Sequence, residues 1–184
     1  MIRFLDLLFS FLGLLILSPI LIILFIIGYF DTGLPIFYQE RVGKNLKPFN
    51  LLKFRSMHVN APSVATHLVS SNLITNFGGI LRKYKLDELP QLWNVLIGDM
   101  SLVGPRPNLF NQTELIMERK SRGVYCIRPG ITGLAQIKKI DMSNPQLLAQ
   151  TDFQMIRDLS TFYYFKYIFL TLFGKGFGDR VVNQ

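Results

Sequence analysis

Leu7-Leu8-Phe9-Ser10-Phe11-Leu12-Gly13-Leu14-Leu15-Ile16-Leu17-Ser18-Pro19-Ile20-Leu21-Ile22-Ile23-Leu24-Phe25-Ile26-Ile27-Gly28-Tyr29-Phe30 is a run of 24 residues without a single charge. As a straight helix it reaches about 36 Å, enough to cross a bilayer core. Arg3 ahead of it resembles the start of a signal peptide. The run is longer than a signal-peptide core, however, and no small-residue cleavage pattern follows. Ser18-Pro19 interrupts the middle. Proline removes a backbone donor and crowds the preceding turn, which favours a kink, and the Ser18 hydroxyl is able to satisfy a freed carbonyl. Two half-helices of about a dozen residues each could dip into the membrane and return to one face; a kinked single span fits the same residues. Charge bears on the choice. Arg3 precedes the run, and Arg41, Lys44, Lys47, Lys53 and Arg55 follow it. Basic residues prefer the cytoplasmic side, and only the re-entrant form keeps both flanks there. The expected organisation is a membrane segment over residues 1–30 and a cytoplasmic body over 31–184.

The 184 residues have room for one ordinary domain beyond that segment. With 49% hydrophobic and 17% charged residues, the chain is too apolar for disorder. The net charge of +8 belongs to the body, because Arg3 and Asp6 cancel at the front. A basic body suits an anionic partner: nucleic acid, a membrane surface or a phosphorylated substrate. The single cysteine, Cys126, excludes an internal disulfide and a multi-cysteine zinc site, and His58 and His67 add too little for a metal cage. No nucleic-acid motif is present, and the aromatics cluster in oily rather than basic stretches. Nucleic acid is therefore not an expected partner.

Within the body, Ile36–Arg41 and Phe49–Phe54 read as strands around a Gly43-Lys44-Asn45 turn. Leu73–Tyr84 reads as a helix despite Gly78-Gly79, and Leu86–Ile97 as another, from Leu86, Leu89, Trp93, Leu96 and Ile97. A polar helix over Asn108–Arg122 ends at Gly123, and Asn144-Pro145 starts one that runs to about Asp158. Phe162–Phe173 holds seven aromatics in twelve residues with one charge, Lys166. It is too short to span a membrane; its tyrosines and lysine beside phenylalanines suit the headgroup boundary, while a core helix would show the same residues.

The densest chemical signal is Lys85-Leu86-Asp87-Glu88-Leu89-Pro90-Gln91-Leu92-Trp93-Asn94, followed by Gly98-Asp99-Met100-Ser101-Leu102-Val103-Gly104-Pro105-Arg106-Pro107. Adjacent carboxylates at a helix start are favoured by the dipole, and Asp87 alone would read as an N-cap. The surroundings point further. Arg82, Lys83 and Lys85 precede the pair, and rigid Arg-Pro units recur at Arg106-Pro107 and Arg128-Pro129-Gly130. Arginines fixed beside proline are good bidentate phosphate ligands. Carboxylates facing phosphates also suggest a shared magnesium ion, with Asp87 and Glu88 as its ligands.

Lys53-Phe54-Arg55-Ser56-Met57, the Leu86–Pro107 block and Arg128-Pro129-Gly130-Ile131-Thr132-Gly133-Leu134-Ala135-Gln136 resemble the monotopic phosphoglycosyl transferases of the bacterial sugar transferase family, and Ser18-Pro19 is similar to that family's helix-break-helix. The resemblance covers nearly the whole chain and looks like the family's minimal catalytic form. It implies an α+β, mainly helical, monotopic fold on the bacterial cytoplasmic membrane, with a re-entrant helix and interfacial amphipathic helices. It also implies transfer of a sugar 1-phosphate from a UDP-sugar, with an N-acetylated or 6-deoxy amino sugar expected, to undecaprenyl phosphate, releasing UMP at the start of surface-glycan or glycoprotein-glycan assembly. Asp87 would be the nucleophile and Glu88 a metal ligand or second-step assistant. Arg82, Arg106, Arg128 and Gln136 match family motif positions that imply substrate or scaffold contacts. Asp152 matches an acidic position, although Met155 stands where the family has tyrosine. Lys53 and Arg55 are further candidates for substrate or headgroup contact. Competing expectations are sugar transfer releasing UDP, and a non-enzymatic membrane-tethered scaffold or anion binder. Oligomeric state is not readable from these residues.

Overall fold

One helix, α1 (Ile2–Thr32), opens the chain and is about 46 Å long. The computed structural model describes residues 1–61 and 73–174, so His67 lies outside the described residues. Helical backbone continues through Ser18-Pro19. Pro19 has no N–H to give the Leu15 carbonyl, and Ser18 Oγ donates to that same carbonyl at 2.8 Å. The acceptor that proline would orphan is satisfied, and the helix carries on.

Only 11% of the most apolar window of α1 is buried. The buried residues follow one stripe. Asp6, Ser10, Leu24 and Gly28 are buried, and Gly13, Leu17 and Leu21 between them are half-buried. Steps of three and four residues keep these positions on one face. That face meets the body along its length. Near the front, Arg3 Nη1 donates to the Val95 carbonyl at 2.7 Å and Nη2 to the Leu96 carbonyl at 3.1 Å. Asp6 Oδ1 accepts from Ser101 Oγ (3.0 Å), the Leu102 amide (3.0 Å) and the Tyr164 hydroxyl (2.9 Å). Gly13 faces Leu92, and Leu21 and Leu24 pack with Phe54 and Leu81. At the far end Asp31 Oδ2 accepts from Thr75 Oγ1 at 2.7 Å.

The expected hairpin is present: β1 (Ile36–Val42) pairs antiparallel with β2 (Pro48–Phe54). Helix α2 (Asn76–Lys83) is shorter than expected and is capped by Thr75, whose Oγ1 accepts from the Gly78 amide. Gly78 explains the glycine pair. A Cβ there would lie 2.0 Å from the Ser56 carbonyl oxygen, so the helix touches that backbone directly. The stretch expected as one helix over Leu86–Ile97 is two elements. A 3₁₀ turn covers Leu86–Glu88, and α3 (Gln91–Ile97) starts after Pro90. Proline cannot donate back into a preceding turn, and Lys85 enters the segment in the left-handed conformation (φ 57°).

Beyond it, β3 (Ser101–Val103) and β4 (Gly130–Thr132) form a short parallel pair, beside which the Gly130 amide donates to the Pro105 carbonyl at 2.8 Å. Gly104 and Gly130 make this possible: a Cβ on Gly130 would fall 2.0 Å from the Gly104 amide nitrogen. Helix α4 (Thr113–Ser121) starts later than expected, because Gln112 Oε1 turns back to accept from the Leu109 amide. After the short α5 (Leu134–Ile137), α6 (Pro145–Asp158) begins as expected, with Asn144 Oδ1 accepting from the Leu147 amide. Helix α7 (Thr161–Leu172) buries Tyr164 and Tyr167 and exposes Phe162, Phe165, Phe169 and Leu172. Phe165 meets Phe9 of α1 edge-on at 5.8 Å, so the exposed apolar surfaces of α1 and α7 adjoin. The architecture is mainly helical α+β.

Candidate active site

The Leu86–Glu88 turn carries both carboxylates, and both are nearly sealed: Asp87 is 4% exposed and Glu88 9%. Its apolar neighbours fix it. Leu86 and Leu89 pack into the cluster formed by Leu24 of α1, Phe54 of β2 and Leu81 of α2. The turn is thereby pinned between the membrane-type helix and the hairpin. Its entry at Lys85 holds a non-glycine residue in left-handed backbone, a conformation that persists only where the surroundings impose it.

Cations converge on Glu88. Arg106 Nη2 donates to Glu88 Oε1 at 2.9 Å, and Lys53 Nζ lies 3.6 Å from the same oxygen. Lys85 is pulled below the ordinary lysine range by burial, Glu88 draws it back up, and Arg106 pushes it down again. Arg82 stands one contact away. Its Nε donates to Ser56 Oγ at 2.8 Å, and its Nη1 is buried with no hydrogen-bond partner among the described residues. An unsatisfied buried guanidinium nitrogen is a costly feature that a phosphate oxygen would relieve. The structure thus gathers Asp87, Glu88, Lys53 and Arg106 in one place, with Arg82 bound to Ser56 on the adjoining strand end.

The loop that presents Arg106 is held from behind. Val42 N donates to the Asn108 carbonyl at 2.9 Å, and Arg41 Nη1 to that of Pro107 at 3.1 Å. Gln136 Nε2 reaches the Gly104 carbonyl at 3.4 Å, while its Oε1 is buried and has no partner among the described residues. Arg119, which sequence reasoning missed, is 1% exposed. Its Nη1 donates to the Arg106 carbonyl and to Asn108 Oδ1, each at 2.9 Å. Its Nε and Nη2 both donate to Asp152 Oδ2, at 3.0 and 2.7 Å. Asp152 is fully buried, so its carboxylate faces Arg119 rather than an open surface. Burial pushes Asp152 above the usual carboxylate range, and Arg119 pulls it back.

Two candidates lie elsewhere. Arg128 Nε donates to the Gly98 carbonyl at 2.6 Å, just past the C-terminus of α3. The carboxylate turn precedes the other end of that helix, which is about 10 Å long. Arg55 Nε donates to the Leu34 carbonyl at 2.8 Å and its guanidinium lies over Phe37, beside the end of α1. Among the described residues no group of three or more His, Cys, Asp or Glu side chains could hold a metal ion. A pair of carboxylates still fits magnesium, which commonly takes one or two from protein and the rest from substrate phosphates and water.

A buried carboxylate pair with cations on Glu88 is thus packed beneath an apolar helix. The chain belongs to the bacterial sugar transferase family, whose model matches residues 1–176. It is 38% identical to the galactosyl transferase CpsE of Streptococcus agalactiae over 92% of this chain, and 38% identical to the UDP-glucose:undecaprenyl-phosphate glucose-1-phosphate transferase of Escherichia coli over 95%. It spans only 41% and 40% of those two proteins. The exopolysaccharide production protein PSS of Rhizobium leguminosarum is 40% identical over 74% of this chain and 72% of its own length.

Proposed function

We propose that this chain moves a sugar 1-phosphate from a UDP-sugar to undecaprenyl phosphate and releases UMP, as an early membrane step of glycan assembly. The observation that carries the proposal is the buried Asp87-Glu88 turn with Arg106 and Lys53 on Glu88. A carboxylate needs no general base to act as a nucleophile. Its obstacle is the like charge of a diphosphate, which surrounding cations offset. In the first step an Asp87 oxygen bonds to the sugar-linked phosphorus while the P–O bond to the bridging oxygen breaks, and that oxygen leaves with UMP. In the second step a phosphate oxygen of undecaprenyl phosphate bonds to the same phosphorus, and the Asp87 carboxylate leaves unchanged. Glu88 holds Arg106 and Lys53 at the site, and the unpartnered Nη1 of Arg82 binds a donor phosphate. Asp87 and Glu88 would hold magnesium, which supplies further charge neutralisation to the diphosphate when bound.

The placement proposed for α1 is on the cytoplasmic face of the membrane with both ends on that face. Its body-facing stripe runs from Arg3 to Asp31, so a span normal to the membrane would drag the polar body into lipid. The exposed aromatics of α7 continue the lipid-facing surface.

The test is a screen of UDP-glucose, UDP-galactose and UDP-linked N-acetylated and 6-deoxy amino sugars with undecaprenyl phosphate, reading UMP. With donor alone, a phosphosugar adduct is expected on the Asp87 peptide. Asp87→Asn should abolish adduct and turnover. Release of UDP instead of UMP, or normal turnover by Asp87→Asn, would refute the proposal.

A further inference from the structure

A second cleft lies at the opposite end of α3 from the carboxylate turn. Its volume is about 210 Å³, several times the roughly 30 Å³ that one water occupies in the liquid. Three cations line it from three distant parts of the chain: Arg3 at the front of α1, Lys44 in the β1–β2 turn, and Arg128 before β4. Among the described residues Asp6 is the one carboxylate in the lining, and its Oδ1 already accepts three hydrogen bonds. The carbonyl end of α3 adds roughly half a negative charge, which Arg3 and Arg128 cover. The cleft therefore keeps a net positive charge of more than one unit. Ile2 and Leu159 make its wall apolar beside the cations, and the exposed apolar surfaces of α1 and α7 start next to it.

We infer that this cleft binds the phosphate headgroup of a membrane lipid, with the acyl or prenyl chain running onto the α1–α7 surface. The chemistry is the pairing of cations for a phosphate with an apolar exit for a chain. A nucleotide would use the first and waste the second; an uncharged lipid would do the reverse. The inference goes beyond the transfer reaction and rests only on the membrane placement of α1.

Cys126 makes the test direct, because it lines the cleft, is exposed and is the only cysteine in the sequence. Full-length protein is placed in phosphatidylcholine nanodiscs, and the rate of Cys126 alkylation by N-ethylmaleimide is followed. Additions are phosphatidylglycerol, undecaprenyl phosphate or inorganic phosphate. A lipid phosphate should slow labelling about fivefold or more, and Lys44→Glu should abolish the protection by removing one attraction and adding one repulsion. Lys47→Glu, on the same turn but outside the cleft, should keep it. Protection by both lipids assigns the site to lipid phosphates in general. Protection by undecaprenyl phosphate alone assigns it to the carrier lipid. Protection by inorganic phosphate at the same level, no protection at all, or equal loss in both lysine variants would overturn the inference. Asp87→Asn should be protected like the parent, so failure of the transfer proposal and failure of this one are told apart.

Discussion

Asp152→Asn separates two roles for a residue that family resemblance places near substrate and the structure places inside the protein. The side chain is fully buried, and Oδ2 takes both the Nε and Nη2 bonds of Arg119, itself 1% exposed. Neutralising the carboxylate strands a buried guanidinium, a change that costs about 3–5 kcal/mol. The amide oxygen still accepts from Arg119, which puts the expected loss near the lower figure. At about 2–4 °C per kcal/mol for a chain of this size, the melting midpoint should fall by about 6–12 °C. Thermal unfolding in detergent measures this, and UMP release is then assayed well below the new midpoint. Activity should fall as well, because Arg119 Nη1 also holds the Arg106 carbonyl and Asn108. The double variant Arg119→Met/Asp152→Leu removes both charges and should regain most of the stability while staying impaired in turnover. An Asp152→Asn protein that melts like the parent yet releases no UMP would refute the clamp and put Asp152 on the substrate.

Chelation of divalent cations should stop UMP release reversibly, with activity restored by magnesium; full activity in excess chelator would remove the metal from the proposal. A tag on Met1 should be reached only from the cytoplasmic side in intact cells, and labelling from outside would sink the same-face placement of α1. Pro19→Ala gives the Leu15 carbonyl an amide donor and returns about 3 kcal/mol of helix propensity at that position; circular dichroism should show helicity kept and the melting midpoint raised. Burial raises the Tyr164 and Tyr167 hydroxyls above the ordinary tyrosine range; Asp6 adds to it for Tyr164, and Tyr163 and Asp158 for Tyr167. A raised folded pKa means stability that is complete below about pH 10 and is lost as pH climbs beyond it, by at most about 1.4 kcal/mol per pH unit for each group. Melting midpoints between pH 9 and 11 should show this decline, and Tyr164→Phe should lessen it.

What the sequence reveals and what it hides follow from how far apart the partners are. The β1–β2 hairpin, the Asn144-Pro145 helix start and the stop at Gly123 depend on neighbours within a turn, and each is present. The carboxylate turn depends on more. Helical spacing from Leu86 to Ile97 is real, yet Pro90 splits it and the left-handed Lys85 sets off the turn at its start. Arg119 is harder still, since Glu118-Arg119-Lys120 reads as a solvated charge run and its partner Asp152 lies 33 residues on. The available signal was Leu115, four residues earlier on the buried face of α4. For α1 the informative feature was not the missing charge but the residues breaking the oil. Asp6, Ser10, Gly13 and Gly28 fall on the same stripe as Leu17, Leu21 and Leu24, a face made for protein rather than for lipid all round. Leu21 and Leu24 on that face share one cluster with Leu86 and Leu89, which flank Asp87-Glu88. The apolar helix and the turn proposed for catalysis are thus one packing unit, so a substitution that lifts α1 from the body should disturb the proposed nucleophile without touching it.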